Sequence, residues 1–590
     1  MRNNRRLLRQ REACAHRYLV SLLRYPLTLS SFFLSLLVFG CQPIRPSSDE
    51  GPGDPPWFCE ISAEVGLDFC HDAGPVGNYF VPQILGSGAA LFDFDNDGRL
   101  DIFLLQNGGP GSSSTNRLYH QETNGHFRDV SAGCGLDIAG WNMGVAIGDV
   151  NNDGWPDVLI TQYRGVKLFL NDQKGTFTDV TQKAGLDNPL WGTSAAFLDY
   201  DRDGWLDLVV VNYLDYDRSR QCAAASGQPD YCYPQLFPGT VTKLYHNAGR
   251  RNPLRFTDRT LESGLGKLPG PGLGVACADF NGDGWPDIFV ANDGQPNHLW
   301  INQHDGTFQE EAIARGVAYN GIGQAQGNMG VALGDVDGDG LFDLFVTHLT
   351  EETNTLWRQG PRGVFRDRTP AAGLASPRWH GTGFGTVLVD FDQDGALDLA
   401  LVNGRVSRGK PAAETSLGPF WNRYAERNQL FRGNGRGKFR DLSTAKEPFC
   451  AQAAICRALA WGDIDSDGAP DLLVTQVAGP ARLYHNVAPR RGHWLLVRAV
   501  DPTLGGRDAY GAEITVESGG HRWVRWINPG QSYLCSSDPR AHFGLGAAER
   551  VDAIRVRWPD GTAELFAGRS ADQAVTLRKG EGQADKERGP

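Results

Sequence analysis

Most of the chain reads as short apolar runs separated by acidic, glycine-bearing turns. The runs DIFLLQN (101–107), DVLITQY (157–163), DLVVVNY (207–213), DIFVAND (287–293), DLFVTHL (343–349), DLALVNG (398–404) and DLLVTQV (471–477) are rich in Val, Ile, Leu and Phe and predict β-strands. Each follows an acidic turn, and each turn follows another short apolar run, as in GAALFDFD, GVAIGDV and GVALGDV. Strand, turn and strand predict a β-hairpin. Between hairpins a second unit recurs, an xLΦ strand (Φ aromatic) often ending in Asn, then a turn and a GxFxD strand; examples begin at Asn116, Lys167 and Asn428. Four strands per repeat is the blade of a β-propeller. The seventh repeat lacks its GxFxD strand after Asn486, whereas WFCEI at 57–61 supplies an equivalent ahead of the first. The expected fold is therefore an all-β, seven-bladed β-propeller with calcium-loop hairpins, closed by its N-terminal strand so that no edge is left open, plus a small C-terminal β-sandwich-like domain.

The turns carry the chemistry. Each has an oxygen-bearing side chain at positions 1, 3, 5 and 9 and Gly at 6, a pattern that suits a hard divalent cation seeking six to eight oxygens. The candidate ligands are Asp93, Asp95, Asp97 and Asp101 in loop 1, and Asp149, Asn151, Asp153 and Asp157 in loop 2. Loop 3 offers Asp199, Asp201, Asp203 and Asp207, and loop 4 Asp279, Asn281, Asp283 and Asp287. Loops 5, 6 and 7 offer Asp335, Asp337, Asp339 and Asp343; Asp390, Asp392, Asp394 and Asp398; and Asp463, Asp465, Asp467 and Asp471. Calcium is the natural ion, up to seven of them. An EF-hand is excluded, because position 12 is aliphatic in every loop (Leu104, Ile160, Val210, Val290, Val346, Leu401, Val474) where that motif needs Glu.

The formal net charge is −12, and −18 once the seven Arg and one Glu of residues 1–40 are set aside. Most of that acidity belongs to the loops, so it says little about a partner beyond disfavouring nucleic acid. Residues 1–41 read as a leader: an Arg-rich start, an apolar run from Tyr25 to Phe39, and VFGC ending at Cys41, which resembles a bacterial lipobox and makes Cys41 the expected lipidated residue. Ordinary signal cleavage and an uncleaved anchor are the alternatives. Residues 42–56 form a Pro-rich tether, 57–488 the propeller, 489–580 the C-terminal domain and 581–590 a disordered tail. Export to the bacterial outer membrane, cell surface or periplasm follows, with membrane contact only through the anchor. Three close cysteine pairs are candidate disulfides, Cys59 with Cys70, Cys222 with Cys232 and Cys450 with Cys456, although spacing does not fix connectivity.

With these residues in view, 57–486 resembles the FG-GAP/VCBS-type propeller related to the integrin α-subunit head, and 492–580, with DAYGAEITV, AHFGLG and VRWPDG, resembles the ASPIC/UnbV domain. The combination is similar to bacterial relatives of cartilage acidic protein; it lacks that family's EGF-like module and adds a polar insertion at 404–427. HExxH, GxSxG, P-loop and dinucleotide-binding signatures are missing from the sequence. His120, His246 and His485 share one repeat position and read as blade packing or surface, and Trp155, Trp205 and Trp285, at position 7 of their loops, as packing between blades. The expectation is a calcium-stabilised binding or adhesion module for an extracellular protein or glycan. The alternative is an extracellular polysaccharide lyase or hydrolase using a propeller-face or interdomain cleft.

Overall fold

The computed structural model describes residues 55–585 apart from 250–253, 413–414, 416 and 490–491. Cys41, the leader and most of the tether lie outside the described residues. The repeats form seven four-stranded antiparallel blades, and blade 7 takes its outer strand, Phe58–Glu60, from the other end of the propeller. That strand pairs with Arg482–Asn486, setting Phe58 opposite Asn486 and Glu60 opposite Tyr484. The innermost strands of successive blades lie side by side around the axis, and Cys456–Gly462 of blade 7 lies against Ala89–Phe92 of blade 1, which closes the ring.

Crowding at the axis explains the composition of the inner strands. Asn142–Gly148, Gly192–Leu198, Gly272–Ala278, Gly383–Val389 and Cys456–Gly462 are buried at every residue. A Cβ on Gly274 would run into the Met329 carbonyl of the next blade, so that position stays bare.

The Asn that ends the third strand clasps neighbouring blades. Asn171, Asn247, Asn302 and Asn486 each donate Nδ2 to the carbonyl at position 2 of the preceding loop, on Phe94, Val150, Tyr200 and Phe391, at 2.8, 2.8, 2.8 and 3.0 Å. In blade 1 Gln121 does the same across the closure, donating Nε2 to Ile464 O at 2.7 Å.

Beyond the propeller, residues 493–584 build two sheets. In one, His493–Asp501 pairs antiparallel with Arg507–Asp508 and Ala541–Gly546 and parallel with Gln573–Arg578; the other is a meander led by Glu513–Ser518. The expected tail is corrected at its start: Gln583–Ala584 pairs with Glu564–Leu565 and extends the second sheet. One apolar cluster runs from blades 2 and 3 into this domain, through Ala146, Leu208, Tyr510 and Trp558, so the two parts share a core.

Two of the three candidate disulfides are corrected. Cys222–Cys232 is bonded and pins the blade 3 insertion. Cys70 is free: it bridges to Pro480, five residues from His485, which faces Cys59. Cys450 and Cys456 are free and buried, each thiol turned to a different polar partner, Ser443 for Cys450 and Asn428 for Cys456. Cys134, Cys277 and Cys535 are buried thiols.

Candidate metal loops and the domain that covers them

All seven acidic turns have one geometry. Position 1 accepts the backbone N–H of Gly at position 6, from 2.7 Å at Asp149 and Asp279 to 3.1 Å at Asp199. Position 9 is a strut: its Oδ2 accepts from the N–H at position 2, as Phe94 to Asp101 at 3.1 Å, and its Oδ1 from the last residue of the third strand, as Gln121 to Asp101 at 2.8 Å. The turn needs two left-handed residues. Gly at position 6 has φ of +81° to +93°, and position 4, which sequence reasoning passed over, has φ of +55° to +80°. Asn96, Asn152, Gly282 and Gly338 at that position were the available signal, because Asn and Gly tolerate this region best.

Side chains at positions 1, 3 and 5 converge: the ligand atoms of Asp93, Asp95 and Asp97, and of Asp199, Asp201 and Asp203, lie within 4.8 Å of one another. Several of these oxygens lack a partner. Asp95 Oδ1, Asp199 Oδ1 and Asp337 Oδ1 are buried and accept no hydrogen bond, which is costly unless something else satisfies them. Burial lifts Asp101 to about 8, Asp199 to about 7 and Asp390 to about 8, and lifts Asp157, Asp207, Asp287, Asp343 and Asp398 well above the usual carboxylate range; neighbouring aspartates add to it. An oxygen-seeking divalent cation fits this donor set.

A charge rule links each loop to the third strand of its own blade. Where position 3 is Asp, the residue before the strand's end is basic; where it is Asn, that residue is aliphatic. Thus Asp95 meets His120 (Nδ1 to Oδ2 3.4 Å), Asp201 meets His246 (3.3 Å), Asp337 meets Arg358, Asp392 meets Arg432 (2.9 Å) and Asp465 is grouped with His485. Asn151 and Asn281 are matched with Leu170 and Ile301, and their Nδ2 groups donate to Asp153 and Asp283 at 3.0 and 2.7 Å. The reading of His120, His246 and His485 as packing is therefore corrected: they sit on the third strands and turn their rings to the loop carboxylates. Burial opposes a charge on His485, yet Asp471 and Asp465 lift it to about 9. The signal was available in the covariation of two repeat positions.

This rule makes a prediction. Removing Arg432 alone (Arg432→Leu) takes the paired cation from the buried Asp392 and from Asp394 and is expected to cost about 3 kcal/mol in a denaturant melt. Adding Asp392→Asn recreates the pairing of loops 2 and 4 and should recover most of that loss, a coupling that independent sites would not show.

The C-terminal domain sits on the loop face. Its arginines interact with position 1 of every loop: Arg498 with Asp93, Arg507 with Asp149 and Asp199, Arg525 with Asp335 and Asp390, Arg540 with Asp463, and Arg557 with Asp279, the last at 3.2 Å. Its 528–538 segment enters the axis and bonds to six blades. Cys535–Ser536 adds a parallel strand to Ala89–Ala90 in blade 1; Leu534 O accepts from Val145 N in blade 2 at 3.3 Å; and Leu534 N donates to Ser194 Oγ in blade 3 at 3.2 Å. Ser532 exchanges backbone bonds with Val331 of blade 5, while its hydroxyl accepts from Thr386 N in blade 6 and donates to Leu459 O in blade 7, both at 2.9 Å. Tyr533, fully buried, donates its hydroxyl to Leu85 O at 3.0 Å. Nothing in the hydrophobic pattern of this segment distinguishes a plug from a surface loop, and it was missed.

Of the loop tryptophans, Trp285 stacks on His304 at 4.8 Å and lies under Arg202 of the neighbouring loop at 4.2 Å, a contact between blades. Trp155 lines the space between loop 2 and the covering domain.

Comparison with known proteins agrees with this layout. The family described as FG-GAP-like repeat matches residues 93–160, 149–210, 279–346 and 338–401, and that described as ASPIC and UnbV matches 503–584. Human cartilage acidic protein 1 is 30% identical over 348 residues, 56% of this chain and 48% of its own, so the match spans about half of that relative. Its Xenopus tropicalis counterpart is 27% identical over 510 residues, 81% of this chain and 71% of its own. Among solved structures, an Agrocybe aegerita lectin recognising terminal N-acetylglucosamine is 15% identical, with a TM-score of 0.36 over 67% of this chain and 87% of its own. The exotype rhamnogalacturonan lyase YesX is 13% identical, with a TM-score of 0.35 over 68% of this chain and 72% of its own. Nothing about the chemistry of this chain follows from either. Among the described residues no helix is long and apolar enough to cross a membrane.

Proposed function

We propose that this FG-GAP-repeat protein with a C-terminal ASPIC/UnbV domain is an exported, calcium-stabilised binding module, anchored through lipid at Cys41 to a bacterial outer surface or periplasmic membrane, with an extracellular protein or glycan as partner. The observation that carries the calcium assignment is the set of buried, unsatisfied carboxylate oxygens at Asp95, Asp199 and Asp337. Calcium, when bound, would supply the charge these oxygens lack; the side chains at positions 1, 3, 5 and 9 would hold it.

The loop face is covered, so the partner's surface is assigned to the opposite face. There the short helix Val81–Leu85, the Cys222–Cys232 insertion and the 404–427 insertion meet in an aromatic cap. Trp141 and Phe80 pack edge to face at 5.1 Å beneath Arg218, whose guanidinium lies 4.7 Å from the Phe80 ring and 5.3 Å from Trp141. Aromatic faces beside a planar cation suit a sugar or a peptide side chain.

The lyase or hydrolase reading is weaker. Asp508 and Asp538, the carboxylates of the interdomain cavity that lie outside the loops, are tied to Arg498 at 2.7 Å and Arg540 at 2.6 Å, which leaves neither as a free base. Calcium-loaded protein is expected to be retained on a glycan or matrix-protein array without changing what it binds. Release of new reducing ends or unsaturated sugars from a polysaccharide would replace this reading with the enzymatic one.

A further inference from the structure

Between the covering domain and blades 1 and 2 lies a cavity of about 240 Å³. Most charges on its wall are answered within the chain, as in the Arg498–Asp508 and Arg540–Asp538 pairs. Arg507 is answered only in part, by charge from Asp199 and Asp149 and without a hydrogen bond at two of its nitrogens. It lines the cavity and is 4% exposed, and its Nε and Nη1 have no hydrogen-bond partner. The carboxylates it feels most are Asp199 and Asp149, which accept backbone N–H groups of their own loops. Two buried guanidinium nitrogens without an acceptor are a costly arrangement unless an anion completes them.

We propose that this cavity binds a small hydroxylated carboxylate, about the size of one sugar-acid ring, with the Arg507 guanidinium as the carboxylate's partner. The planar fork of Arg matches a carboxylate or a phosphate in geometry, and charge decides between them. Asp93, Asp149, Asp508 and Asp538 all face the cavity, so a monoanion is repelled less than a dianion. The same aspartates retain lone pairs for ligand hydroxyls, and the Trp155 and Tyr510 rings offer flat apolar walls. A volume of about 240 Å³ lies below the usual range for drug-sized ligands, which limits the occupant to about one ring. One feature rests on the calcium reading: metal in loops 1 and 2 would neutralise Asp93 and Asp149, so the anion should bind more tightly to metal-loaded protein.

The test is calorimetric titration of the full chain with D-galacturonate, D-galactose and inorganic phosphate, in calcium and after removal of metal. Terbium luminescence reports loop occupancy independently. Calcium-loaded protein should bind galacturonate at least about tenfold more tightly than galactose or phosphate, and Arg507→Lys, which keeps the charge but loses the fork, should weaken it by about tenfold. Trp155→Ala, which leaves Arg507 in place, should weaken it by a few fold. The proposal is overturned if protein shown to hold metal binds no galacturonate, if galactose or phosphate binds as well, or if both variants bind like the parent. Galacturonate binding by protein that takes up no metal would uphold the Arg507 site and reject only the calcium reading.

Discussion

Protein freed of divalent cations is expected to melt at least about 10 °C below the calcium-loaded form at pH 8, with a gap less than half as large at pH 5. The size follows from linkage. At 10 mM calcium, sites with dissociation constants of roughly 10⁻⁴ to 10⁻³ M each contribute about 1.4 to 2.7 kcal/mol. Several such sites sum to roughly 10 kcal/mol, worth about 1 °C per kcal/mol or more in a body of this size. The pH dependence follows from the carboxylates. In the metal-free fold, burial lifts Asp199 to about 7 and Asp101 and Asp390 to about 8, against about 3.9 in the unfolded chain. Between those values the folded state holds protons that the unfolded state has released, so metal-free stability falls as pH rises from about 4 to 8. A bound cation reverses the sign: it favours the ionised carboxylates, and the stability it supplies is lost as pH falls. The two curves therefore diverge with pH. Equal melting temperatures with and without calcium at pH 8, or a gap that narrows as pH rises, would rule out metal clamping.

The acidic turns carried much of this in their sequence because their spacing is local: Gly98, Asp101 and the apolar run after it lie within a dozen residues and set hairpin, ligands and strand together. Closure was legible for a related reason. A missing GxFxD strand after Asn486 and a spare one at Trp57–Ile61 describe one vacancy and one occupant. What stayed hidden depends on contacts between repeats or between domains. Asn302 looks like a strand-ending turn residue until its Nδ2 is seen on Tyr200 O, 102 positions away. His120 looks like packing until the strand pairing of blade 1 carries it over Asp95. Cysteine spacing misled for the same reason, since Cys450 and Cys456 are close in sequence but turn to different partners. The arginines of the C-terminal domain alternate with apolar residues as on any half-exposed strand, and only the docked domain gives them loops to face.

Removing the axial plug is expected to be as damaging as removing the metal. Tyr533→Ala should destabilise the full chain by about 3 to 5 kcal/mol, the range for deleting a large buried aromatic side chain. Truncation after residue 488 should yield a propeller that is insoluble or melts well below the full chain even in saturating calcium. Two features support an effect of this size. The plug satisfies backbone groups of the innermost strands, at Val145, Val331, Thr386 and Leu459, and these have no water to turn to once the axis is closed. Ser532 and Leu534 are held at φ of +70° and +58°, conformations that an L-residue, and Leu above all, adopts only when its surroundings fix it. The segment is thus folded onto the propeller at a conformational cost, which the contacts at its tip must exceed. Cation loss and plug loss are also expected to overlap in their effects, because Arg557 reaches Asp279 at 3.2 Å from the same domain that carries the plug. A Tyr533→Ala protein should therefore lose less on metal removal than the parent does, since part of what calcium holds together has already come apart. If the truncated propeller melts within a few degrees of the full chain, the C-terminal domain is an attached passenger, and the arginines over the loops contribute little to the stability of the ring.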